Sequence, residues 1–153
     1  MTSSGGETRA VFQRPPHLVD PSGTLAVWFT EPPGMVVQFA RRGPCTVELA
    51  EWLVATAGPR VLERFPGPEP LAFVLDLSQM VGRDPRARAI ITEGVGTLAA
   101  RAGRTVVVPP VSATRVYLAS LHVAASLARV LGITVSVEPL PQAVHALHAA
   151  PLP

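Results

Sequence analysis

Residues 71–78 read L-A-F-V-L-D-L-S and are followed shortly by Gly82-Arg83-Asp84-Pro85, and these two segments decide the fold. The apolar run in the first segment is typical of a strand that is buried on both faces of a sheet. Asp84 and Pro85 predict a helix start, because Asp is favoured at the N-cap and Pro at the first helical position. The sequence therefore predicts a buried strand, a short loop, and a helix that runs from Asp84 to Arg101.

The segments on either side of this unit predict more strands and helices. Residues 24–30 and 34–40 are rich in β-branched and aromatic residues and flank a Pro-Gly turn signal, which predicts a β-hairpin. Thr46 predicts the cap of a helix that Gly58-Pro59 either ends or kinks, although Pro59 is equally able to begin a second short helix. Further strands are predicted at residues 104–109 and 133–137, and further helices at 113–131 and 141–149.

The predicted elements alternate between strand and helix after the hairpin. Such alternation is typical of an α/β domain whose sheet is mixed but mostly parallel, with helices packed on it. We expect about four to six strands in one sheet. We also expect a disordered tail over residues 1–10, which are small and polar, and a single domain over residues 11–150.

The composition excludes several classes of protein. The 153-residue chain carries a formal net charge of only +2, so we expect no nucleic-acid partner. Cys45 is the one cysteine, which excludes an intrachain disulfide and fits a reducing compartment. The first residues lack the apolar core of a signal peptide, and the longest apolar helical stretch is too short to cross a membrane. We therefore expect a cytoplasmic protein without a transmembrane segment.

The L-D-L-S run, the Asp at the following helix start and the order of elements resemble the STAS domain, the SpoIIAA-like fold of anti-sigma-factor antagonists. The resemblance covers residues 24–147, and residues 46–92 are more similar to a divergent bacterial branch, STAS/SEC14-like, for which no general activity carries over. In the STAS family this helix start carries a Ser or Thr that a kinase phosphorylates. The resemblance places Pro85 at that position. Because Pro has no hydroxyl, the sequence argues against the family's phosphorylation switch but leaves its partner-binding surface possible.

Four residues around the predicted helix start are candidates for a partner-binding or anion-binding surface: Arg83, Asp84, Arg86 and Arg88. A helix N-terminus attracts anions through its free N–H groups and its dipole, and Arg side chains bind phosphate or carboxylate in bidentate geometry. Asp84 opposes anion binding because its carboxylate occupies those N–H groups. The alternative is a solvated helix start with a structural role only.

Asp76 and Ser78 end the central strand and are candidates for contacts to a small ligand. Ligands of open α/β sheets bind at the carboxyl ends of strands, but Asp and Ser equally satisfy the N–H groups of a loop. His145 and His148 share a helix face without further ligands nearby, and Cys45 lacks a neighbouring base. We therefore expect neither an enzyme nor a bound cofactor or metal.

The predicted helix over residues 113–131 is apolar on most sides. Leu118, Leu121 and Ala125 lie on its second apolar face, which either the adjoining helix or a second copy of the chain has to cover. These observations favour a non-enzymatic interaction module of a bacterial cytoplasm that binds a protein partner or itself. Two alternatives stay open: a self-assembling structural subunit, and a small-ligand or lipid-binding protein with a cavity of roughly a few hundred Å³ over the sheet.

Overall fold

The structure is a computed structural model that describes residues 10–94, 96–110, 134–137 and 150–153, and its centre is a mixed β-sheet. The strands are β1 (Leu18–Val19), β2 (Leu25–Glu31), β3 (Gly34–Phe39), β4 (Gly43–Cys45), β5 (Leu71–Asp76), β6 (Met80–Arg83), β7 (Ala102–Val108), β8 (Thr134–Val137) and β9 (Ala150–Pro151). The main sheet has the order β1-β2-β3-β5-β7-β8, and β9 also pairs with β2. Strands β4 and β6 form a separate two-stranded sheet, which the sequence did not predict.

The pairing confirms the predicted mixed sheet with an N-terminal hairpin. Strands β1, β2, β3 and β9 pair antiparallel, whereas β3, β5, β7 and β8 pair in parallel. Gly34 lies where the hairpin meets the parallel part, opposite Ala72. A Cβ atom at Gly34 would lie 1.8 Å from the carbonyl oxygen of Ala72, so only glycine allows β3 to begin this close to β5.

The first helical segment consists of α1 (Val47–Trp52), a π-helical turn (Leu53–Ala57) and α2 (Gly58–Arg64). Thr46 caps α1 by accepting a hydrogen bond from the Leu49 N–H at 3.3 Å, as predicted. Pro59 does not end the segment. The Gly58 N–H donates to the carbonyl of Leu53, and this wider turn provides a helical path just before Pro59, which has no N–H to donate.

The predicted helix from Asp84 to Arg101 is helical in all its described residues after Asp84, and residue 95 lies outside the described residues. The structure has two helices, α3 (Pro85–Gly94) and α4 (Gly96–Arg101), on either side of residue 95. Gly94 packs on the first helical segment, where an added Cβ atom would lie 2.3 Å from Cγ1 of Val54.

Both faces of the central sheet are buried. One face packs against α1–α4, with Phe73 of β5 among its buried residues. The opposite face carries the buried residues Val74 and Trp28, and Phe12 packs edge-on against Trp28 with ring centroids 5.7 Å apart. The prediction of a doubly buried strand at residues 71–76 is therefore confirmed. Within the described segments, the helices are all too short or too polar to cross a membrane.

Some predictions fall outside the described residues. These are the helices at 113–131 and 141–149, with Leu118, Leu121, Ala125, His145 and His148, and nearly all of the N-terminal tail. Self-association through the helix at 113–131 and the proposed domain limits stay predictions.

Asp20 organises the turn between β1 and β2. Its side chain is 4% exposed, and one carboxylate oxygen accepts hydrogen bonds from the N–H groups of Thr24 and Leu25, each at 2.7 Å. The other oxygen accepts from the N–H and the hydroxyl of Ser22. Burial by itself raises the pKa of Asp20, but these hydrogen bonds outweigh it and lower the pKa below its ordinary value of 3.8.

We expect the Gly94→Ala variant to be destabilised, although Ala favours helix formation, because the added methyl group overlaps Val54 and forces α3 away. The matched control is Gly96→Ala, where a Cβ atom meets nothing within 4 Å. That variant should be stabilised by about 0.4–1 kcal/mol. Urea unfolding measures both. Equal effects of the two substitutions would contradict the close approach of α3 to the first helical segment.

We expect the Asp20→Ala variant to lose about 2 kcal/mol of unfolding free energy at neutral pH, because several N–H groups lose their acceptor. The folded-state pKa of Asp20 is lowered, so its stabilising effect is present above the unfolded value and is lost as the pH falls through the folded value. The stability difference between wild type and variant should therefore shrink as the pH falls below about 3.8. Urea unfolding over this pH range measures it, and a constant difference would show that the carboxylate is not the cause.

Candidate functional site

The start of α3 lies beside the start of α1. Strands β4 and β6 run parallel to each other and lead directly into these two helices. The Asp84 N–H donates to the carbonyl of Cys45 at 3.2 Å, which joins the ends of the two strands. Parallel neighbours end at the same edge, so both helix N-termini open on one surface.

Asp84 caps α3, as the sequence predicted. Its carboxylate accepts a hydrogen bond from the Arg86 N–H at 2.8 Å, and its carbonyl accepts from the Arg88 N–H at 3.1 Å. The Arg86 guanidinium lies 3.5 Å from the other carboxylate oxygen, and the Arg86 side chain is 81% exposed. The Asp84 carboxylate thus already accepts from the Arg86 N–H at the helix start. This makes the helix start a weaker site for a phosphate.

A groove of about 400 Å³ lies between the two helix starts. We call it the α1–α3 groove, and its described lining residues are Pro44, Cys45, Thr46, Val47, Glu48, Asp84 and Arg86. Pro85 is exposed at the first position of α3. Among its described lining residues, the groove therefore offers one exposed cation, Arg86, beside the carboxylates of Glu48 and Asp84.

The structure separates the four residues predicted for this surface. Asp84 and Arg86 line the α1–α3 groove, whereas Arg88 lines a different space under α3. Arg83 is the last residue of β6, where its backbone pairs with Cys45. Arg86 and Arg88 are two residues apart on α3, a rotation of about 200°, so their side chains leave the helix on different sides.

Asp76 is not available to a ligand. It is 1% exposed and lies on the sheet face opposite α1–α4, where its carboxylate accepts from the Gln38 side-chain amide at 3.1 Å. The other carboxylate oxygen accepts from the Ser78 N–H at 3.0 Å, which shapes the loop after β5. This geometry favours the loop role that the sequence left open, while Ser78 itself is only partly buried.

An apolar cavity of about 430 Å³ lies between the sheet and the helical residues of the π turn, α3 and α4. We call it the central cavity. The sequence did not predict its lining, which comes from strands and helices that are distant along the chain; examples are Phe39, Leu53, Leu75, Ile91 and Ala99. The sequence feature that could have indicated the cavity is the short side chains on both sides of it, such as Ala99, Ala102 and Thr105. A cavity of this size matches the expectation stated above for a small-ligand protein.

His17 and Cys45 are partly or fully buried and have structural roles. His17 accepts a hydrogen bond at Nδ1 from the Phe29 N–H and therefore carries its proton at Nε2, which donates to the carbonyl of Leu152 at 3.1 Å. Cys45 is buried. Within the described ranges, His, Cys, Asp and Glu do not form a group of three that is able to hold a metal ion.

A solved structure gives the comparison that decides the fold. It is that of an uncharacterized protein of the DUF3478 family with a SpoIIAA-like fold, from Shewanella loihica PV-4. The two chains are 12% identical and superpose with a TM-score of 0.58 over 80% of this chain and 91% of the other. This chain has a SpoIIAA-like fold. No family model and no curated protein matches the sequence.

The SpoIIAA-like fold confirms the architecture that the L-D-L-S run and Asp84 suggested. It agrees with the mixed sheet and with helices packed on it. At 12% identity the likeness concerns the fold alone. The chemistry of the α3 start depends on the residues of this chain, and Pro85 is the first residue of the helix.

We expect the Asp84→Ala variant to lose about 1 kcal/mol of unfolding free energy, because the Arg86 N–H loses its acceptor. Asp84→Ser is the matched control, since Ser accepts the same hydrogen bond without a charge. It should retain most of the stability. Thermal unfolding in low salt compares the three proteins, and equal losses in both variants would show that the charge, not the cap, stabilises the α3 start.

Proposed function

We propose that this protein is a non-enzymatic regulatory module that binds a protein partner through the surface at the α3 start. The observation that carries the proposal is the exposed Arg86 guanidinium in the α1–α3 groove, held near Asp84 but open to solvent. Arg is enriched at protein interfaces because its planar group binds a carboxylate through two hydrogen bonds.

The residues around Arg86 suit a protein partner. Val81 is 45% exposed on β6, and Pro85 is exposed at the helix start. These two residues are close to Arg86 in sequence, and we call Val81, Pro85 and Arg86 the α3-start surface. Interfaces combine an apolar centre with a charged edge in this way, so the partner should present apolar side chains next to an Asp or Glu.

Control by phosphorylation at the α3 start does not fit this chain. Pro85 has no hydroxyl, and the adjacent N–H of Arg86 is already bonded to the Asp84 carboxylate. The nearest hydroxyl along α3 is that of Thr92, which donates to the carbonyl of Arg88 at 2.8 Å. We therefore propose that binding at this surface is controlled by the presence of the partner rather than by a phosphate on the first turn of α3.

The proposed module works in the cytoplasm and catalyses no reaction. The single cysteine is the support for a reducing compartment. The α1–α3 groove places the carboxylates of Glu48 and Asp84 beside Arg86, an arrangement that supports binding. The central cavity is mainly apolar.

We expect the Arg86→Glu variant to lose its partner while it keeps its melting temperature, because the Arg86 side chain is 81% exposed. The matched control is Arg60→Glu, an equally drastic change at an exposed residue of α2. Arg60 lies about 20 Å along the first helical segment from the helix start. Affinity capture from the native cell extract, followed by mass spectrometry, compares the wild type with the two variants.

We expect to find a protein that the wild type and Arg60→Glu both retain. Arg86→Glu should retain at least about fivefold less of it. Purified partner should then reproduce the difference in a direct binding measurement. Equal retention by all three proteins would remove the α3-start surface from the proposal.

A further inference from the structure

The central cavity has the dimensions of a binding site and is separate from the α3-start surface. Its volume of about 430 Å³ lies near the lower end of the range of small-molecule sites, which is roughly 300–1,000 Å³. Domain interiors are packed at close to crystal density, with few voids larger than a water molecule. A space of this size in the core of a domain is therefore a candidate site rather than ordinary packing.

The walls of the cavity require an apolar ligand. Side chains of the sheet form its floor, with Met35 and Phe73 as examples, and Leu53, Ile91 and Leu98 of the helices form the opposite wall. Water gains few hydrogen bonds between such walls, so an apolar molecule that displaces it is favoured.

Arg88 places a positive charge at the opening of the central cavity. It is the one charged residue among the described lining residues, and it is exposed on α3 together with Thr92. The cavity therefore reaches the surface beside these two residues. Within the described part of the chain, the Arg88 guanidinium has no carboxylate within ion-pair distance, because the single ion pair found there joins Arg86 and Asp84.

We propose that the central cavity binds a single-chain amphiphile, with its apolar tail between sheet and helices and its anionic head at Arg88. A carboxylate at the mouth would pair with the guanidinium, and the tail would fill the space between Phe73 and Leu98. The volume suits one acyl chain rather than the two chains of a membrane phospholipid. The ligand and the partner would occupy different spaces, because Arg86 lines the α1–α3 groove and Arg88 lines the central cavity.

Titration calorimetry with a series of fatty acids tests the tail. Octanoate, decanoate and dodecanoate, each below its micelle-forming concentration, should bind one to a chain. Affinity should rise about fourfold with each added methylene, as expected for transfer from water, and should stop rising once the cavity is full. No binding, or affinity that rises without limit with chain length, would overturn the proposal.

Two lining substitutions locate the ligand. Ala99→Phe projects a ring into the cavity and should weaken dodecanoate binding more than about tenfold. The matched control is Ala100→Phe, on the exposed side of the same helix, which should bind as the wild type does. If Ala99→Phe does not fold, Thr105→Leu enlarges a side chain of the cavity floor and replaces it. Undiminished binding in a folded cavity-filling variant would place the ligand elsewhere and overturn the proposal.

Arg88→Gln tests the head group. It should weaken dodecanoate binding about fivefold, as for an exposed ion pair, and leave dodecanol binding unchanged, while Arg86→Gln should change neither. Dodecyltrimethylammonium should bind more weakly than dodecanoate. Equal affinity for the cationic and anionic amphiphiles, or preferential binding of two-chain phosphatidylglycerol vesicles, would contradict a single anionic chain.

Discussion

Strand β5 holds this domain together because it pairs in parallel with β3 on one side and with β7 on the other. Its alternate side chains enter two different cores: Phe73 packs under the helices α1–α4, and Val74 packs on the opposite face. Its backbone is therefore satisfied entirely within the sheet, and its side chains are removed from water on both faces. The close contact of Gly34 with Ala72 belongs to the same constraint, since the hairpin has to approach β5 without an intervening side chain.

Helix α3 relates the two candidate sites to each other. Its first turn borders the α1–α3 groove, and its next turns border the central cavity through Arg88 and Ile91. Cys45, which ends β4, lines both spaces. Gly94 fixes the distance between this helix and Val54, so the packing of α3 sets the width of the cavity. A molecule held in the cavity would consequently lie beneath the same helix that presents Arg86 to a partner.

The first turn of α3 has no hydroxyl that could carry the phosphorylation described above for STAS domains. Proline is favourable at the first position of a helix because it has no N–H to leave unpaired, and Asp84 satisfies the Arg86 N–H. The two residues together make a stable helix start that contains no hydroxyl. The surface that remains is defined by what projects from it, mainly the Arg86 side chain and its neighbours Val81 and Pro85.

Local sequence was sufficient for the elements whose cause is local. The hairpin, the buried strand at residues 71–76 and the caps at Thr46 and Asp84 follow from periodicity, turn residues and capping preferences within a few positions. The surroundings of Pro59 and Gly94 could not be predicted in this way. A π turn before a proline and a contact between two helices depend on backbone placement, which single-residue preferences do not specify.

The sequence by itself determined a SpoIIAA-like arrangement of strands and helices and a helix start without a phosphorylatable hydroxyl. Only the tertiary structure decided that Asp76 is buried against Gln38, that Arg86 and Arg88 serve different spaces, and that a cavity lies over the sheet. The reason is physical: hydrogen-bond caps and strand patterns arise between neighbours in sequence, whereas a cavity is the space left between distant segments after they have packed.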